Sequence, residues 1–192
     1  MSEQPAVYEP LSARERLLAA ANDLFYMEGV NTVGIDRIIE RAGVAKASLY
    51  NTFGSKDALV RAYLMARHEA RRARILERLE PLPTARAKLL GIFDEMQERA
   101  SQPDFKGCAF VRASAETRAG SCVKAVCEES RTWLLDLLRS LAADSGVRDA
   151  DALARQLMVL YDGAAVAGQM DGDANAARHA RAVAEQLVPS GS

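Results

Sequence analysis

Residues 29–59 read GVNTVGIDRIIERAGVAKASLYNTFGSKDAL, and the spacing of their apolar, glycine and hydroxyl positions decides the reading of the whole chain. A short helix is expected from about Ile35 to Arg41, with Ile35, Ile38 and Ile39 turned inward. Ala42-Gly43-Val44 makes a tight turn, and Gly43 suits a positive-φ position that other residues reach only at a cost. A third helix covers roughly Ala45 to Phe53, in which Leu49 and Phe53, four apart, face a core. Gly54-Ser55 breaks it, and Ser55 is placed to cap a long helix starting at Lys56. Upstream, Ser12 and Glu15 form a capping-box pattern ahead of the stripe Leu17, Ala21, Leu24 and Phe25, and Gly29 closes that first helix near Glu28. Two very short helices behind a longer one make a helix-turn-helix pattern.

The outward chemistry of the third helix fits a groove of DNA. About eight residues rise ~12 Å, comparable to the ~12 Å width of the major groove. Lys46 stands at its start, Ala47, Ser48, Asn51 and Thr52 are small or hydrogen-bonding, and Tyr50 carries a hydroxyl on a rigid arm. Lys56, with the free N–H groups of its helix behind it, makes a phosphate clamp. Thr32, a substitute cap for the second helix, and Arg37 complete the candidate DNA-contacting set.

The same block resembles the TetR family of repressors. The resemblance rests on IIERAGV at Ile38–Val44, on Lys46-Ala47-Ser48-Leu49-Tyr50, on Phe53, and on Ser55-Lys56-Asp57-Ala58-Leu59; with the first helix it covers about residues 12–65. It implies a homodimer whose two heads enter successive major grooves of a palindromic double-stranded operator. It also implies that Lys46, Ala47, Ser48, Tyr50, Asn51 and Thr52 approach DNA, with Lys56 on phosphate. This chain departs from the family pattern where many relatives carry Thr or Ser near the start of the second helix: Val33 and Gly34 stand there. Ala45 stands where Ser often caps the third helix, and Ala47 where Gly is common.

Charge and composition bound the alternatives. The 192 residues carry a formal net charge of −1, so affinity for nucleic acid must come from a local face. Residues 1–60 hold six Lys/Arg against eight Asp/Glu, whereas residues 61–78 hold six arginines against Glu69 and Glu77. Arg61, Arg67, Arg71, Arg72, Arg74 and Arg78 read as a solvated face of the fourth helix, and the salt dependence of DNA binding is expected to be modest. No apolar run approaches the ~18 residues of a membrane span, and the N-terminus lacks the pattern of a secretory signal, so a cytoplasmic location without membrane contact is expected. Three cysteines, Cys108, Cys122 and Cys127, do not describe a disulfide framework and read as small buried hydrophobes. With His68 and His179 well separated, neither a metal site nor a nucleophile–base pair is visible, so no cofactor and no enzymatic activity are expected.

The remainder reads as amphipathic helices, giving an all-α chain: a loose arm (residues 1–11), a three-helix DNA-binding head (12–58), and a larger helical bundle for ligand binding and dimerisation (59–188). The helices are expected at Lys56–Leu79, around Leu89–Ala100, Cys108–Arg118, Ser121–Ala143, Asp149–Met170, and from Asp173 to about Val188. The last two offer a self-association stripe of Leu153, Leu157, Leu160, Ala164, Gly168, Ala176, Ala180, Val183 and Leu187. Large side chains in excess of a thin bundle's needs, Phe93, Met96, Phe110, Trp133, Leu137, Met158 and Tyr161, are candidate liners of a pocket for a small apolar or amphipathic ligand. Arg112, Glu116, Thr117 and Tyr161 are its polar candidates. The expected function is a sequence-specific DNA-binding regulator, a repressor released from its operator by that ligand. Two alternatives stand beside it: a redox-sensing repressor using Cys108, Cys122 or Cys127, and a helical binding protein without DNA activity.

Overall fold

The computed structural model describes residues 11–116 and 121–189. Most of the N-terminal arm, together with Thr117 and the expected helix end at Arg118, lies outside them. The described residues are all-α: α1 Ala13–Glu28, α2 Ile35–Ala42, α3 Lys46–Phe53, α4 Lys56–Leu79, α5 Ala85–Ala100, α6 Ala109–Glu116, α7 Cys122–Asp144, α8 Ala150–Met170 and α9 Ala176–Leu187. The chain divides into two compact units between Tyr63 and Leu64.

In the first unit, the capping box at α1 forms as read. Ser12 Oγ accepts from the Glu15 N–H at 3.2 Å, and Glu15 Oε2 accepts from the Ser12 N–H at 2.8 Å. The Ser12 hydroxyl, donating to Glu15 Oε2 at 2.7 Å, and then the Ser12 N–H hold the Glu15 carboxyl below its usual range. α2 ends in a paired closure: the Gly43 N–H donates to Glu40 O at 3.2 Å and the Val44 N–H to Ile39 O at 3.1 Å. This geometry needs a left-handed residue, and Gly43 supplies it at φ +62°. The chain turns through Gly43, Val44 and Ala45 directly into α3. Arg16 on α1 steadies the turn by donating to the Gly43 carbonyl at 3.2 Å. Leu17, Ala21, Ile38, Leu49 and Leu59 are fully buried and hold the helices together. Ile35 and Ile39 are only half-buried.

The division falls five residues beyond the expected end of the head. The first turns of α4 belong to the head's core, where Leu59, Val60 and Tyr63 are buried and the Tyr63 ring lies 5.5 Å from that of Phe25. Ser55 caps α4 by accepting from the Ala58 N–H at 3.1 Å. Thr32 does not cap α2; Gly34 holds that place with no side-chain bond, because a residue two positions further upstream cannot reach the first turn's N–H groups.

In the second unit α8 packs on α7 and α9, and α5 packs on α7 and α9. Ile75, Leu89, Ile92, Phe93, Leu134, Leu138 and Leu157 form its fully buried centre. Thr84, Ser121 and Asp149 cap α5, α7 and α8 through their side-chain oxygens. Asp173 accepts from the Asn175 N–H at 2.8 Å, so it orders the chain just ahead of α9 without being the cap itself.

Candidate nucleic-acid interface and effector cavity

α3 is anchored by Leu49, which is fully buried, while Lys46, Ala47, Tyr50, Asn51 and Thr52 are exposed and Ser48 is half-exposed. One face thus pins the helix and the other offers a mixed polar surface. The cations of this surface are already engaged by carboxylates. Lys46 Nζ lies 2.8 Å from Asp36 Oδ1, a contact that raises the Lys46 pKa. Arg37 pairs with Glu28, and Arg41 with Asp23 at 3.5 Å. Pairs this exposed exchange readily, so a phosphate can replace a carboxylate at small cost. The Thr52 hydroxyl donates to the Ser48 carbonyl at 2.6 Å, leaving its oxygen free to accept. Lys56 is half-buried with its ammonium 6.0 Å from the centre of the Phe25 ring, and Thr32 is exposed ahead of α2.

The second unit holds a cavity of about 360 Å³. Phe110, Met158 and Tyr161 wall it, as the sequence led us to expect of a pocket, alongside Arg71, Lys124, Ser130, Cys108 and Cys127. The other expected liners sit elsewhere. Phe93 and Met96 are buried in the core, Trp133 stands edge-on to His68 at 5.7 Å, and Leu137 packs against the core cluster. Arg112 and Glu116 are half-buried on α6 but are not among the wall residues.

Sequence reasoning missed Arg71, Lys124 and Ser130. The Arg71 guanidinium donates to both Ser130 Oγ and the Ser130 carbonyl at 2.8 Å, and stacks 4.9 Å from the centre of the Phe110 ring. Ser130 Oγ, which accepts from Arg71, also lies 3.1 Å from His68 Nδ1, within hydrogen-bond distance. Burial, followed by the Arg71 charge, holds the His68 pKa below the ordinary value. Nor is the arginine run on α4 simply a solvated face. Arg74 Nε reaches the buried Glu95 carboxylate at 2.9 Å, and Arg78 pairs with Glu98 at 3.4 Å. Burial pushes the Tyr161 hydroxyl up to about 12 and the Cys127 thiol up to about 11.

Burial divides the residues of the expected self-association stripe. Leu153, Leu157, Ala164, Ala176 and Ala180 face the chain's own core and have no surface to offer a partner. Leu160 and Gly168 keep partial exposure, and Val183 and Leu187 remain exposed. The uncovered apolar stripe of α8 is instead Val159, Gly163, Val166 and Met170, spaced four, three and four apart on one side of the helix. α8 is apolar on two faces, so periodicity alone could not tell which one the core would take. Among the described residues no group of three or more His, Cys, Asp or Glu is placed to hold a metal ion, and no helix is long and apolar enough to cross a membrane.

A short polar helix presented on a three-helix head, joined to a larger helical bundle enclosing a cavity, defines a helix-turn-helix protein with an appended helical domain. Comparison with known proteins makes the assignment specific. The family described as bacterial regulatory proteins, tetR family, matches residues 17–63. The solved structure of SCO4454, a TetR-family transcriptional regulator from Streptomyces coelicolor, is 34% identical and superposes with a TM-score of 0.87 over 94% of this chain and 96% of that one. The regulator sav143 from Streptomyces avermitilis is 32% identical, with a TM-score of 0.80 over 91% and 99%. The chain belongs to the TetR family of transcriptional regulators, and its first unit carries the family's DNA-binding helix-turn-helix. Among curated relatives, the regulator TtgR of Pseudomonas putida is 33% identical over 46% of this chain, and the Escherichia coli repressor NemR is 29% identical over 76%. The match spans only 44% of the length of TtgR.

Proposed function

We propose that the protein is a homodimeric repressor that binds a palindromic operator and is released from it by a small molecule entering the cavity of the second unit. The observation that carries the first half is α3, with Leu49 locked in the core and a contiguous polar face of Lys46, Ser48, Tyr50, Asn51 and Thr52 left for base edges and phosphates. The observation behind the second half is that α4 contributes residues to both units: Lys56 lies on its first turn, and Arg71 on the cavity wall. A ligand that favours one arrangement of α4 shifts the population of dimers able to span successive grooves. The uncovered stripe of α8, with Val183 and Leu187 on α9, supports a second copy as partner. The cytoplasm is the compartment where such a regulator meets its DNA.

Fluorescence anisotropy with labelled DNA from upstream of the protein's own gene tests this reading. Lys46→Ala and Tyr50→Phe are each expected to weaken binding by about 1–3 kcal/mol. Lys46→Ala should also flatten the slope of log K against log salt by about one, since it removes one phosphate contact. Unchanged affinity in both variants would remove α3 from the interface.

Redox sensing is the second reading, favoured by one observation: Cys108 and Cys127 wall the same cavity. Against it, a Cys127 thiol pushed up to about 11 is almost wholly protonated at neutral pH, and the thiolate is the reactive form. A version with all three cysteines replaced by Ser or Ala is expected to bind operator and respond to ligand as the natural protein does. Loss of an oxidant response in that version alone would establish the thiol mechanism.

A further inference from the structure

We propose that the occupant of the cavity is a small organic anion, a carboxylate carried on a flat apolar body, with Arg71 and Lys124 as its anchors. The claim rests on the effector reading of the cavity and gives that ligand a chemical class.

Among the described residues, two cations on this wall have neutral hydrogen-bond partners only. Arg71 donates to the Ser130 hydroxyl and carbonyl, and Lys124 Nζ donates to Ser114 Oγ at 2.7 Å. Both side chains are half-buried, and among the described residues neither has a carboxylate within ion-pair distance. The third cation, Arg131, is different: it already pairs with Asp162 at 2.6 Å, so that pair adds no net charge. The one remaining carboxylate of the wall, Glu128, is exposed. The half-buried part of the cavity wall, where Arg71 and Lys124 stand, is therefore positive.

The donors are also under-used. Among the described residues Arg71 Nε is buried without a hydrogen-bond partner, and the Tyr161 phenol stands on the same wall. A guanidinium offers a fork to a carboxylate, and an ammonium a point charge; together with a phenol they suit one anionic head group. The other walls are apolar: Phe110, Met158 and Ala165. The Arg71 guanidinium lies over the Phe110 ring at 4.9 Å from its centre, so a planar ring entering beside Phe110 meets apolar surface while its carboxylate meets the cations. A neutral hydrophobe would leave the two cations with the same neutral partners they have now and gain nothing from them.

The test is a matched pair of probes, 2-naphthoate and its uncharged amide 2-naphthamide, titrated into the full-length protein by calorimetry. Naphthoate is expected to bind at least about tenfold more tightly. Lys124→Met should erase most of that preference while leaving the amide's affinity unchanged, and Arg71→Met should do the same or more. Lys124 hangs from one hydroxyl contact, so its variant stays folded even if loss of the Ser130 bonds disturbs the Arg71 one. Arg61→Met, an exposed cation of the head, should keep the preference whole. Equal affinity for the two probes, or a preference that survives both cavity variants, would overturn the proposal. If the probes bind equally and Val111→Trp, which fills the rim, abolishes both, the cavity remains an effector site and only the anion claim fails. If neither probe binds at about 1 mM, the claim falls together with the effector reading.

Discussion

Placing glutamates at Val159 and Val166 together is expected to leave the fold intact and to reduce operator affinity by a factor on the order of 100 or more. Val159 is 69% exposed and Val166 38% exposed, so neither side chain holds the monomer together. Glutamate is also the better helix former of the two residue types. A two-fold contact through the α8 stripe would, however, bring four new carboxylates into one apolar patch, where desolvation and like charge both oppose association. The affinity loss follows from linkage rather than from any lost DNA contact: a second head tied to the first binds at an effective local concentration that a free monomer lacks. Sedimentation should show a monomer with an unchanged circular dichroism spectrum. A dimer that persists with full operator affinity would remove the α8 stripe from the interface.

Phe93→Ala should cost about 3–5 kcal/mol of unfolding free energy. Phe93 has no exposed surface and its ring meets that of Tyr161 at 6.3 Å with a 62° tilt. It lies in a cluster with Leu89, Leu134 and Leu157 from three other positions in the bundle, which cannot all collapse into the space left behind. Urea unfolding followed by Trp133, the chain's one tryptophan, reports on the second unit alone. The midpoint should fall while the slope stays constant, because the same surface is exposed on unfolding. A loss below about 1 kcal/mol would mean that the site lies open to solvent. The side chain was expected in a ligand pocket, so this experiment also separates the two roles: operator release by ligand should survive in the fraction that remains folded.

The head was legible from sequence because its signals are local. A capping box, a left-handed glycine and a four-residue spacing each involve residues within a few positions of one another, and Ser12–Glu15, Gly43 and Leu49 all do what their spacing predicts. The cavity was half legible. Phe110, Met158 and Tyr161 could be named from size alone, but Phe93 and Trp133 are of the same kind and lie elsewhere, since size does not say which side of a helix the core will claim. Arg71 was hidden among six arginines that read as one solvated face. Only the approach of Ser130, 59 residues away, sets it apart. The expected self-association stripe divides for a related reason: with apolar residues on two sides of α8, the chain's own core takes Leu153, Leu157 and Ala164, while Leu160 and Gly168, with Val183 and Leu187 on α9, keep exposure.

The central claim is operator recognition through α3 in a dimer, and nuclease footprinting of the intergenic DNA beside the protein's own gene tests it most directly. The expected result is protection of a palindrome whose half-sites are centred about one helical turn, roughly 34–36 Å, apart, lost as salt is raised and lost in the Lys46→Ala/Tyr50→Phe double variant. No protection at low salt, or equal protection of unrelated DNA, would contradict it.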